Sequence, residues 1–105
     1  MGDLTAAVLA IDGGNSKTEV CLITADGALL GYARGPGSNH QNIGVDAAFD
    51  VLSSLITDAA DEAGIGIASP LAHHAAIYLA GADFSAEVAM LHERASRAGW
   101  ASEVS

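Results

Sequence analysis

An α/β fold, a mixed sheet with helices packed on it, is the class this sequence predicts, on three observations. Three β-like runs follow one another with only turns between them, which leaves no room for crossover helices and makes an antiparallel meander. Two later stretches carry apolar residues at three- and four-residue intervals, the period of an amphipathic helix. A fourth β-like run lies between those stretches, so the order reads β-β-β-α-β-α. The 105 residues are enough for one domain, and half of them are apolar, enough for a core.

Thr5 to Ile11 (TAAVLAI) is a nearly continuous apolar run, the pattern of a central strand covered on both faces, and it ends at Asp12-Gly13-Gly14. Glu19 to Thr24 (EVCLIT) is rich in β-branched residues and reads as the second strand. Asp26-Gly27 signals a two-residue hairpin turn into the third strand, Ala28 to Arg34. Gly35 to Asn42 (GPGSNHQN) has the composition of a loop. From Val45 the stripe Phe49, Leu52, Ile56, Ala59 and Ala63 predicts a helix, with Gly64 as its stop. Ile65 to Leu71 connects to a strand over Ala75 to Ala80. A second helix starts near Asp83 or Ser85, either of which can cap it, and carries the stripe Phe84, Val88, Leu91, Ala95 and Ala98. Gly99 ends that helix, and Trp100 leads into a tail.

Four basic residues against 13 acidic ones give a formal charge of −9. Such a surface repels phosphate backbones, so nucleic acid and anionic membranes are poor partners. No signal-like leader opens the chain and no apolar stretch approaches membrane-spanning length, so the expected setting is cytoplasmic. The single cysteine, Cys21, forms no internal disulfide and reads as a small buried hydrophobe.

The stretch that carries chemistry is Asp12-Gly13-Gly14-Asn15-Ser16-Lys17-Thr18. Two glycines let backbone approach a ligand closely, and successive amides in such a turn form an anion nest. Lys17, the only lysine in the chain, adds a point charge. Ser16 and Thr18 add hydroxyls, and Asp12 is placed to hold a magnesium ion directly or through water. A Walker loop and a dinucleotide fingerprint are both excluded, because each opens a helix, whereas here a strand follows. The device is strand–turn–strand.

That pattern is similar to the first phosphate motif of the superfamily containing actin, heat-shock ATPases, hexokinases and acetate kinase. Within it, the chain most resembles the BadF/BadG/BcrA/BcrD-type ATPase family, which includes N-acetylglucosamine and glucosamine kinases. The match rests on the turn, on Gly37-Ser38-Asn39-His40 with Gly44 after it, and on Leu79-Ala80-Gly81-Ala82-Asp83 before a helix ending in Gly99-Trp100. The family usually has a third glycine and a threonine where this chain has Asn15 and Ser16. The resemblance spans nearly the whole chain.

It implies a ribonuclease-H-like half-domain over residues 1–105, the N-terminal lobe of an actin-like ATPase, short of a complete enzyme. It further implies Mg-ATP held by Asp12, Gly13, Gly14, Asn15, Ser16, Lys17 and Thr18, with Gly81 bordering the nucleotide. Asn39, His40 and Asp83 are then the substrate-side residues. The implied reaction moves the γ-phosphoryl group of ATP to an amino-sugar hydroxyl, with the base expected beyond Ser105. Self-association is also expected, since a lone lobe bares apolar surface.

Plainer readings stand beside these. Gly13-Gly14 also suits an ordinary hairpin, Asn39 and His40 a self-bonded turn, and Asp83 a helix cap. His73 and His74, adjacent on a strand, point to opposite faces and make no metal site together. Alternative functions are an activator ATPase of the 2-hydroxyacyl-CoA dehydratase or benzoyl-CoA reductase type, which needs cluster-binding cysteines, and a non-enzymatic binding module.

Overall fold

The computed structural model describes residues 6–65, 72–80 and 85–104. The first strand, β1 (Ala6–Gly13), pairs antiparallel with β2 (Lys17–Ile23), which pairs antiparallel with β3 (Leu29–Pro36). A one-turn helix α1 (His40–Ile43) and the long helix α2 (Val45–Ala63) follow. β4 (Ala72–Leu79) then pairs parallel with β1, and after α3 (Ser85–Arg97) the short strand β5 (Ala101–Val104) pairs parallel with β4. The sheet order is β3-β2-β1-β4-β5. The predicted α/β class with a mixed sheet is the observed one.

Strand alternation fixes the layers. Leu9 and Ile11 of β1, Val20 and Leu22 of β2, Ala33 of β3, and Ala75 and Leu79 of β4 are buried together. Phe49, Leu52, Leu55, Ile56, Ala59 and Ala60 of α2 cover them, with Leu91 and Ala95 of α3. The α2 stripe is therefore the predicted one. Its end is also as predicted: Gly64 takes φ 75°, and the amides of Gly64 and Ile65 close back on Asp61 and Ala60 in a Schellman pair.

Several boundaries differ from the sequence reading. The turn after β2 has three residues rather than two. Gly27 donates to Thr24, and the Thr24 amide donates to the Ala28 carbonyl, so Ala25–Gly27 forms a three-residue loop closed by Gly27 at φ 89°. The third strand runs on to Pro36, and β4 begins at Ala72. The loop reading of Gly35 to Asn42 misses α1, whose single turn is capped by Asn39. The residues after Trp100 are a strand because Ala101 and Glu103 pair with Ala72 and His74. Val88 stays about half exposed, beside a small apolar cavity of about 100 Å³ lined by Ile77, Leu79, Leu91 and Val104. The predicted cap at Asp83 and the Phe84 position lie outside the described residues.

β1 is central, yet the described helices cover only one face of it. The other face carries Ala10, Asp12, Glu19, Cys21, Tyr32, Ala76 and Tyr78, which line an open groove of about 490 Å³. Cys21 is thus half-buried, not a core residue, because Val20 and Leu22 take the inward positions on either side of it. Burial still raises its thiol pKa, with Glu19 adding to the effect. Trp100 stacks on Phe49 with ring centroids 5.8 Å apart, and Arg94 lies over the same ring while bonding Asp46 at 2.9 Å. These contacts tie α3 and β5 to α2. Among the described residues no helix is long and apolar enough to cross a membrane.

Candidate functional site

The seven residues Asp12–Thr18 form the tip of the β1–β2 hairpin. Gly13 pairs with Thr18, and the Gly14 amide donates to the Lys17 carbonyl at 2.8 Å, leaving Asn15 and Ser16 as the two-residue turn. The Gly13 amide lies within the ladder and that of Gly14 is occupied by Lys17. Among the described residues, the amides of Asn15 and Ser16 meet no acceptor, so the amide nest expected over residues 13–17 narrows to the turn itself.

Asp12 stands at the end of β1 on the open face, opposite Glu19 on β2 and beside Tyr78 on β4. Its carboxyl is exposed. Lys17 is also exposed, with Nζ 3.8 Å from Glu19 Oε1. Tyr32, from β3, donates its hydroxyl to Glu19 Oε2 at 2.6 Å. That bond first, and the Lys17 charge second, hold the Glu19 carboxyl below the ordinary carboxylate value, while the same bond raises the Tyr32 phenol. Asp12, Lys17 and Glu19 share one face at the open end of the groove. Glu19 was legible as a partner of Lys17, two residues along the same strand face; Tyr32 required the pairing of β2 with β3.

Thr18 points the other way. It is 0% exposed and donates to Ser38 Oγ at 2.8 Å, with Ser38 1% exposed. Thr18 therefore supports the turn from beneath instead of offering its hydroxyl outward. Ser38, which carried no predicted role, is the residue that receives it.

The Gly37–His40 loop docks on this turn. The Ser38 amide donates to the Gly14 carbonyl at 3.1 Å. A Cβ at Gly37 would come within 2.0 Å of the Asn15 carbonyl oxygen, and one at Gly13 within 2.4 Å of Ser38 Oγ. At Gly37 glycine lets backbone cross backbone this closely, and at Gly13 it leaves room for the Ser38 and Leu79 side chains. Asn39 accepts the Gln41 amide at 2.9 Å and donates through Nδ2 to Asn15 Oδ1 at 2.6 Å. Asn39 and His40 are both buried, each 8% exposed. The structure thus brings the turn residues Gly13 to Thr18 and the predicted substrate residue Asn39 into contact, with His40 next along the loop. β4 arrives beside it, since Ala80 donates to the Gly13 carbonyl at 2.7 Å. Gly81 and Asp83 lie outside the described residues. Among the described residues, no group of three or more His, Cys, Asp or Glu side chains converges as a metal cage.

No protein-family model matches the chain. Its fold is similar to a solved structure of a putative N-acetylglucosamine kinase from Chromobacterium violaceum, with a TM-score of 0.76 and 23% identity. The match covers 98% of this chain and 35% of that one, so the chain spans about a third of the length of the protein it resembles. At that identity the likeness shows the fold alone, and that fold is of the mixed α/β class the sequence predicts.

Proposed function

We propose that this chain is the phosphate-binding lobe of an ATP-dependent amino-sugar kinase of the BadF/BadG type, acting on N-acetylglucosamine or glucosamine. The observation that carries the reading is the hairpin tip. Two adjacent amides that meet no acceptor among the described residues, those of Asn15 and Ser16, stand next to the solitary lysine at the end of a strand pair. The shared fold supports it.

In this reading Asn15 and Ser16 donate their amides to the terminal phosphates of ATP, and the Ser16 hydroxyl adds a donor. Lys17 neutralises charge on the phosphoryl group, released from Glu19 as it does so. Gly13 and Gly14 keep the turn free of side chains that would hold a phosphate off. The residues fit a magnesium ion: Asp12 presents an exposed carboxylate opposite that of Glu19, and paired oxygens suit a hard cation. When bound, Mg-ATP supplies the transferable phosphoryl group. Positioning and charge neutralisation are then the lobe's contribution. Asn39 and His40 are assigned to the sugar, and the sequence motif alone assigns Asp83 to the sugar and Gly81 to the nucleotide. Self-association through the open sheet face belongs to the same reading.

The test uses the isotope-labelled chain and magnesium tripolyphosphate, followed by NMR. Amide shifts concentrated at Asn15, Ser16 and Lys17 are expected, and Lys17→Ala weakens binding about tenfold, the loss of one charge-assisted contact at an exposed site. Shifts scattered over the surface, or unchanged affinity in Lys17→Ala, would refute the assignment.

A further inference from the structure

The turn and the loop that faces it are joined by a side-chain bond whose direction the structure fixes. Asn39 caps α1, its Oδ1 accepting the Gln41 amide at 2.9 Å. That bond sets which end of the carboxamide faces away from α1. Nδ2 must point back at the turn, and it meets Asn15 Oδ1 at 2.6 Å. Two backbone contacts brace the same junction: the Ser38 amide on the Gly14 carbonyl at 3.1 Å, and Gly37 pressed against the Asn15 carbonyl. Beneath it, Thr18 and Ser38 share a buried hydroxyl bond.

These contacts differ in what they respond to. The Thr18–Ser38 bond is sealed from solvent, and the backbone contacts are set by chain geometry. The Asn15–Asn39 bond alone joins an exposed turn residue to a buried loop residue through two flexible carboxamides. Asn15 also carries one of the two turn amides that meet no acceptor among the described residues. An anion bound at that amide therefore contacts the same residue whose side chain holds Asn39.

We propose that Asn15 is a positioning residue: its carboxamide latches that of Asn39, so that a phosphate anion in the turn and a ligand at the Asn39–His40 loop each change the other's affinity. The coupling half of this proposal rests on the phosphate reading given above, while the latch itself does not. Linkage makes the effect reciprocal. With its oxygen serving the cap and one N–H serving Asn15, Asn39 keeps one lone pair and one N–H for a ligand.

Two measurements on the labelled chain decide it. Without ligand, solvent exchange of the Asn39 Nδ2 protons is slow in the wild type and in Asn15→Asp, which keeps the accepting oxygen. In Asn15→Gly it speeds up about fivefold, the equivalent of one net hydrogen bond. With magnesium pyrophosphate, Ser16, Asn39 and Gln41 shift together in the wild type, whereas in Asn15→Gly, compared at equal saturation of the Ser16 amide, Asn39 and Gln41 no longer follow. Equal exchange rates in wild type and Asn15→Gly overturn the latch. Unchanged Asn39 and Gln41 responses in Asn15→Gly overturn the coupling. A wild-type Ser16 amide that ignores pyrophosphate overturns the coupling together with the phosphate reading, and the exchange measurement tells that result apart from a missing latch.

Discussion

Removing the Ser38 hydroxyl should destabilise the chain more than the loss of one small polar atom implies. Thr18 and Ser38 are 0% and 1% exposed and 2.8 Å apart, so water cannot replace a deleted partner. Ser38→Ala strands the Thr18 hydroxyl in the interior, a desolvation penalty of about 1–3 kcal/mol. Thr18→Val is nearly isosteric and strands Ser38 by a similar amount, about 1–3 kcal/mol. Removing both leaves two apolar groups in contact, and the double variant should lose less than either single one, roughly 1 kcal/mol or under. Urea unfolding followed by circular dichroism gives all four stabilities. The expected coupling exceeds about 1 kcal/mol in favour of the double variant, well outside the roughly 0.5 kcal/mol scatter of independent sites. If the two single losses simply add in the double variant, the buried hydroxyl pair does not brace the turn.

Gly37→Ala should cost at least about 1–3 kcal/mol, because its Cβ meets backbone that cannot swing aside; a melting temperature within error of wild type would contradict the crossing. Tyr32→Phe should return the Glu19 carboxyl toward its ordinary value of 4.5, read by carbon-detected NMR titration. The sign follows from a folded value below the unfolded one. The contribution is present above the ordinary carboxylate range and fades as pH falls through the depressed value, so Tyr32→Phe should narrow the difference between acid and neutral stability. Phe49→Ala should cost about 3–5 kcal/mol and change the emission of Trp100, the only tryptophan, since the ring it stacks on is gone. Unaltered emission would mean that the stack does not form in solution.

The parts of this fold that were legible are those whose signal is local. The α2 stripe and its Gly64 stop need only neighbours three and four residues away, and β1 and β2 announce themselves through apolar and β-branched runs bounded by Gly13-Gly14. β5 was not legible, because Ala101 to Val104 has no period of its own and extends only by pairing with β4. Cys21 was misplaced because its run is apolar throughout; Val20 and Leu22 take the inward places. The same alternation, applied to Thr18, would have turned its hydroxyl inward before any coordinates existed. The Asn15–Asn39 contact joins positions 24 residues apart and has no signature in either segment.

The position of β1 bears on how the molecule comes apart. On one side it meets β2, its partner across a tight turn; on the other it meets β4, which follows a long excursion through α2. The first pairing closes cheaply and early, whereas the second must wait for a large loop to be gathered in. Partial opening should therefore split the sheet along the β1–β4 line. The β4-α3-β5 unit would swing away while the hairpin tip, the docked loop and α2 persist as one piece. Amide protection should fall off across that line, with the Ala80 amide exchanging well before those of Val20 and Leu22.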